Sequence, residues 1–501
     1  MDNKFKCGWS VTVLLTMFLL MQPVAAGALI YGDTGAANGT TKTFNLTATD
    51  GHITMGDGET AYMWGYASQT NLNPVCPTGN CMQYPGPTLI VNQGDTVVVH
   101  LANSIPTLPG NTAVNASIVF PGQNVTATGG VAGLLTQEAT PGGPAVTYTF
   151  AATNPGTYTY YSGTMSWLQV EMGMIGALII RPNNIGGANC PAPPSLPFAP
   201  NNGYAFCAKN AYYDREYLFV TTEIDPAFHR LVEFGHMAQV DNTTRHATAW
   251  FINGRNFPDT QSVDFAGWLS AQPYSAIVQM HPLESILMRM VSGGRNLHPW
   301  HTHGQNHIVI ARDGRLLQSS PAASFADVAV SDFTTTMVAG ETADAIWGPW
   351  TGKYLNWDIF GPAGGDPTQN ILPHTCNSVV VGPLTALINF LNTNQNLGLT
   401  GFDTNTGEWC PDHGKPVPVT LPDPNRLAFG AMASGSPFIG ISGEIPPIDP
   451  NTGDNHSFQN PMAALAFMWH SHSERELTTN NVFIGGMATM GMVLPYSVSI
   501  P

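Results

Sequence analysis

Short strand-like runs, each closed by glycine or proline, constrain this chain more than any other feature. Tyr84 to His100 reads as a turn, a strand, a second turn at Gly94-Asp95 and another strand. Similar runs occupy 146–151, 156–161, 176–180, 216–222, 285–291 and 308–311. Helical periodicity is scarce, and Leu384 to Leu391 is the best short candidate. Many short strands between Gly/Pro turns predict stacked antiparallel sheets, in an all-β sandwich or barrel. The 52 glycines and 40 prolines follow no period, which excludes a collagen-like chain, and 43% hydrophobic residues exclude disorder. Only 10% of residues are charged, against about a quarter in ordinary soluble proteins, and this suits a secreted β protein.

The formal charge is −16, with 17 Lys+Arg in 501 residues, so nothing attracts nucleic acid or anionic lipid. Lys4 and Lys6 precede an apolar run, Val11 to Met21, and small residues follow at Val24-Ala25-Ala26. This predicts a signal peptide over 1–26, with an uncleaved anchor as the alternative. No later segment is apolar enough to span a membrane. Past Cys7 there are six cysteines, at 76, 81, 190, 207, 376 and 410. An even count in a secreted chain predicts disulfides, paired locally as 76–81, 190–207 and 376–410, with no thiolate left for a metal.

The chemistry concentrates in histidines. Four fall in His298-Pro-Trp-His301-Thr-His303-Gly-Gln-Asn-His307, and two in His470-Ser-His472. Residues i and i+2 of a strand share a face, so His301 with His303, and His470 with His472, each offer an imidazole pair. Two such strands side by side present four imidazoles to one point, a donor set suited to copper, zinc, iron or nickel.

His298-Pro-Trp-His-Thr-His-Gly resembles the His-Pro-x-His-x-His-Gly motif of multicopper oxidases, and His470-Ser-His472 lies where that family has His-Cys-His. Tyr84-Pro-Gly-Pro-Thr, Gly94-Asp-Thr, Gly156-Thr-Tyr158, Phe251-Ile-Asn-Gly254 and Arg312-Asp-Gly314 are similar to its landmarks. The resemblance implies tandem cupredoxin-like Greek-key β-sandwiches and a copper-based oxidoreductase. A full member carries a type 1 copper on a cysteine thiolate and a trinuclear cluster that reduces dioxygen.

Three departures bear on what this chain keeps. Ser471 replaces the type 1 cysteine, and a hydroxyl is no substitute for that soft donor. Glu476 replaces the second type 1 histidine, so only His298 of that site remains. In the first domain, Val119, Pro121, Tyr161 and Gly163 stand where the family has histidines, and none occurs between His100 and His229.

The residues therefore predict one mononuclear copper at His301, His303, His470 and His472, with His298 a weaker ligand and zinc the runner-up metal. His307 and Tyr161 are expected beside the ligands, orienting one or facing the metal, although Tyr161 also reads as a space-filling ring. Glu474 and Glu476 are expected to be plain loop carboxylates, with neutralising a cationic site the alternative. Met487, Met490 and Met492 read as core, with thioether ligation the alternative.

The domains expected are 30–182 and 205–500. The second carries an insertion at 352–461, which makes three domains if it closes a sandwich of its own, and 183–202 reads as a linker. Three functions remain open: a secreted copper oxidoreductase acting on an extracellular redox protein or metal ion, a non-catalytic copper binder, and a structural protein reusing the fold. A homo-oligomer fits each of them.

Overall fold

The computed structural model describes residues 30–69, 74–76, 81–188, 190–197, 199–281, 283–349, 383–395, 465–494 and 499–500. The predicted signal peptide, Cys376, Cys410 and most of the 352–461 insertion lie outside them.

The architecture is all-β, two cupredoxin-like sandwiches in tandem. In the first, Thr41–Thr54 pairs in parallel with Thr96–Asn103, which pairs antiparallel with Val146–Ala151. The opposing sheet orders Gly156–Tyr161, Ile175–Arg181 and Leu89–Asn92. Burial along Thr96–Asn103 alternates strictly, so Val97, Val99 and Leu101 face inward against Phe44, Tyr148 and Leu178.

The second sandwich repeats the plan at larger scale. One sheet runs outward from Arg215–Ile224 through Ile286–Ser292, Thr342–Trp347 and His307–Arg312. The other places Leu465–Ser471 between Ala488–Val493 and His298–Thr302, with Thr334–Met337 at the edge. Phe219, Trp300, Trp347, Phe467 and Trp469 fill the space between the sheets.

Polar groups buried at the junction tie the sandwiches together. Thr157 of the first bonds Asp344 of the second at 2.6 Å, and Thr342 donates to the Thr157 carbonyl at 2.7 Å. Arg289, fully buried, pairs with Asp344 at 3.2 Å and with Glu216 at 2.9 Å.

Cys76–Cys81 and Cys190–Cys207 are disulfide-bonded. The segment expected to be a linker differs from that reading: Cys190, Leu196 and Ala199 are buried in a core with Tyr204 and Tyr212. The Pro383–Gln395 helix closes this core through Leu387, Ile388 and Leu391, with Phe390 against Tyr212. Apolar burial outweighed the Pro/Asn-rich composition. Among the described residues no helix is long and apolar enough to cross a membrane.

Candidate metal centre

The strand pairing sets the site. His298–Thr302 runs antiparallel to Leu465–Ser471, so His301 lies directly opposite His470 and Trp300 opposite Ser471. Alternation sends Trp300, Thr302, Trp469 and Ser471 into the core, and His301 and His470 to the outer face, half-buried. The strand ends at His303-Gly304, where φ is +97° and a Cβ would press on Phe467 and Trp347 at 2.9 Å; only glycine fits that turn.

Three imidazoles converge. Donor nitrogens of His301, His303 and His470 all lie within 4.8 Å of one another, and His303 Nε2 is 3.2 Å from His470 Nε2. Two donors each about 2.0 Å from one ion sit about 3 Å apart, so the spacing suits a shared metal. His472 stands beside the trio, exposed, with its ring centroid 4.7 Å from that of His301.

Neighbours set the tautomers. His470 Nδ1–H donates to the Ser471 carbonyl at 2.6 Å, which leaves Nε2 as the lone-pair donor. His301 Nδ1 is 2.8 Å from Thr334 Oγ1, so its Nε2 likewise turns toward the cluster. Burial, then the charges of His470 and His472, lowers the His301 pKa to about 4; burial lowers His470 as well. Both rings are therefore neutral near pH 7, the state a metal requires.

His298 is not part of this set. Three residues before His301, it faces the opposite side of the strand and is fully buried. Its Nδ1 lies 2.9 Å from Glu476 and its Nε2 3.0 Å from Glu223, so carboxylates occupy both ligand positions. Burial alone would lower its pKa. The hydrogen bonds of Glu223, then Glu476, override burial and raise it to about 9, while Glu223 is held below its usual value. Glu223 also bonds Arg245 at 2.8 Å, and Arg245 reaches Glu171 of the first sandwich at 2.6 Å.

Glu476 corrects the expectation of a plain loop carboxylate: it is buried and accepts from Ser471 Oγ at 2.6 Å. Glu223, in the Arg215–Ile224 strand, had no signal in the sequence. Glu474 is exposed, as a loop carboxylate would be.

His307 lies behind the cluster, buried between Thr302 Oγ1 at 2.8 Å and Thr335 Oγ1 at 2.7 Å. Burial lowers its pKa to about 4. It ties the strand of His301 to that of Thr334. Tyr161 packs against the apolar cluster that contains Met63, Tyr84, Ile175 and Phe251, whereas the ring neighbours of His301 are the other three imidazoles and Phe333. Met487, Met490 and Met492 are buried in apolar clusters.

In the first sandwich, of the positions that would carry histidines, Gly163 is packed shut, Val119 and Tyr161 are half-buried and Pro121 is exposed. A Cβ on Gly163 would meet Val119 Cγ1 at 2.8 Å and Ser117 Oγ at 3.2 Å. Phe120 stacks with Phe150 and Tyr160. Ser162 bonds Gln169 at 2.5 Å, and Thr164 bonds Ser117 at 2.8 Å, so the local polar groups satisfy one another.

The sequence profile described as multicopper oxidase matches residues 67–185. A multicopper oxidase of Talaromyces pinophilus is 38% identical over 111 residues, 22% of this chain and 17% of that protein. An L-ascorbate oxidase of Brassica rapa subsp. pekinensis is 35% identical over 116 residues, 21% of this chain and 18% of that protein. The matched segment thus spans less than a fifth of these relatives' length. A solved blue copper oxidase from Nitrosomonas europaea covers 90% of this chain and 85% of its own at 15% identity, with a TM-score of 0.47. Residues 67–185 are thus similar to a multicopper oxidase domain, and the imidazole cluster of the second sandwich lies on the pair of strands that this resemblance implies.

Proposed function

We propose that the protein holds a single copper ion through His301, His303 and His470, with His472 at its rim, and serves as a secreted, one-electron oxidoreductase. The observation that carries this reading is the convergence of three imidazoles, with the His470 tautomer set by the Ser471 carbonyl and His301 anchored on Thr334. Such a donor set suits copper, which when bound supplies a one-electron couple. The residues do the rest: Thr334 and the Ser471 carbonyl aim the rings, and burial keeps them unprotonated. The apolar run before Val24-Ala25-Ala26 and the two disulfides support secretion. An extracellular redox protein or metal ion is the electron partner we infer.

The four-electron reduction of dioxygen falls outside this proposal. Ser471 offers no thiolate, His298 is engaged by two carboxylates, and the first sandwich contributes no imidazole at Val119, Pro121, Tyr161 or Gly163.

The test is metal content after copper loading and dialysis, with an EPR spectrum of the same sample. About one copper per chain is expected, with no blue charge-transfer band, and the His301→Ala/His470→Ala double variant should lose it while remaining folded. Three or more coppers with a blue band would overturn the half-site reading. A wild-type protein that takes up no copper would overturn the metal reading altogether, and copper that binds without changing oxidation state would make the protein a binder, not an enzyme.

A further inference from the structure

The strand Leu465–Ser471 has two faces with different chemistry. Outward, His470 belongs to the imidazole cluster and His472, just past the strand, stands beside it. Inward, Ser471 is completely buried, and its hydroxyl serves two partners. It donates to Glu476 at 2.6 Å and accepts from the Ser473 amide at 3.2 Å. The same Glu476 oxygen faces His298 Nδ1 at 2.9 Å, and His298 Nε2 faces Glu223 at 3.0 Å. Glu223 in turn is fixed by the backbone amides of Arg295 and Asn296, at 2.8 and 2.9 Å.

This chain of contacts runs from a rigid strand to the one residue between two site histidines. The Ser471 peptide matters doubly, because its carbonyl sets the His470 tautomer and its side chain fixes the turn that carries His472. A donor set must be held to within about 0.5 Å to bind well, and partners one step behind the ligands commonly change metal affinity by about 10–100-fold.

We propose that Glu476 and His298 are positioning residues: anchored on Glu223, they hold Ser471 from inside the sheet and so set the geometry of His470 and His472 on its outer face. The position left without a cysteine thus became a hydrogen-bonded brace for the neighbouring metal site. This inference rests on the copper reading above.

The experiment uses the full chain. Cu(II) affinity is measured by chelator competition, and the EPR spectrum of the bound ion is recorded, for wild type, Glu476→Gln, Ser471→Ala and His301→Ala. Metal-free thermal unfolding is followed alongside. Ser471→Ala keeps the Glu476–His298 pair and removes its link to the strand, together with the acceptor of the Ser473 amide, so it serves if Glu476→Gln fails to fold. The expected result is about 10–100-fold weaker binding and an altered EPR spectrum in both brace variants. Variants that unfold more easily yet bind copper with wild-type affinity and spectrum would overturn the brace, while His301→Ala still losing copper would leave the metal reading standing. A wild-type chain that takes up no copper would overturn both.

Discussion

At the scale of single residues, histidine alternation carried the readable part of the site. His301, His303, His470 and His472 gather on one face because a strand repeats every two residues, and the sequence displays that directly. The same rule separates His298 from His301, since an offset of three reverses the face. Its carboxylate partners were hidden for another reason: Glu223 lies 75 residues away and Glu476 178, and only sheet topology joins them. That pairing predicts a pH dependence. The His298 pKa rises from an ordinary 6.5 to about 9 on folding. Below about pH 6.5 the ring is protonated in both folded and unfolded chains, and its stabilisation is fully present. It is lost as pH rises through about 9, a change on the order of 3 kcal/mol. On the acid side Glu223, held below 4.5, loses its contribution as pH falls through its lowered value. Chemical denaturation across pH 6 to 10 should show stability falling in wild type and a flattened alkaline limb in His298→Gln.

At the scale of elements, the strands were legible because their burial alternates, and the Gly94-Asp95 turn declared itself by composition. The segment 183–202 was not. Its prolines and asparagines suggested a free connection, yet Cys190 and Leu196 are held in a core completed by a helix almost two hundred residues later. No local pattern announces such a long-range partner. The closed loops of the first sandwich give a second prediction. A side chain at Gly163 collides with Val119 and Ser117, so Gly163→His should cost about 1–3 kcal/mol in stability and add no copper. Denaturant midpoints and metal content would check both halves.

At the scale of the whole molecule, the sandwiches meet through charge as well as apolar contact. Arg289 is completely buried and pairs with Glu216, which Arg181 also reaches, and with Asp344, which accepts from Thr157 across the junction. Arg289→Met keeps much of the volume but leaves buried Asp344 without its guanidinium and Glu216 with Arg181 alone. The loss should be about 3–5 kcal/mol, read as a lowered unfolding midpoint, because stranding a buried charge costs more than the pair itself contributes. A second network stretches from Glu171 through Arg245 and Glu223 to His298 and Glu476. Three carboxylates there meet Arg245, Arg295 and the His298 ring, so the charges balance only when that ring holds a proton.

Inside the second sandwich, then, the pairing of His298 with Glu223 and Glu476 favours a proton on its ring. Water supplies protons everywhere, whereas copper is scarce and guarded in living cells. A chain braced in this way is expected to fold without bound metal. Production under copper starvation should yield the same compact product as production in plenty, and copper would enter last, over the open rim where His472 stands.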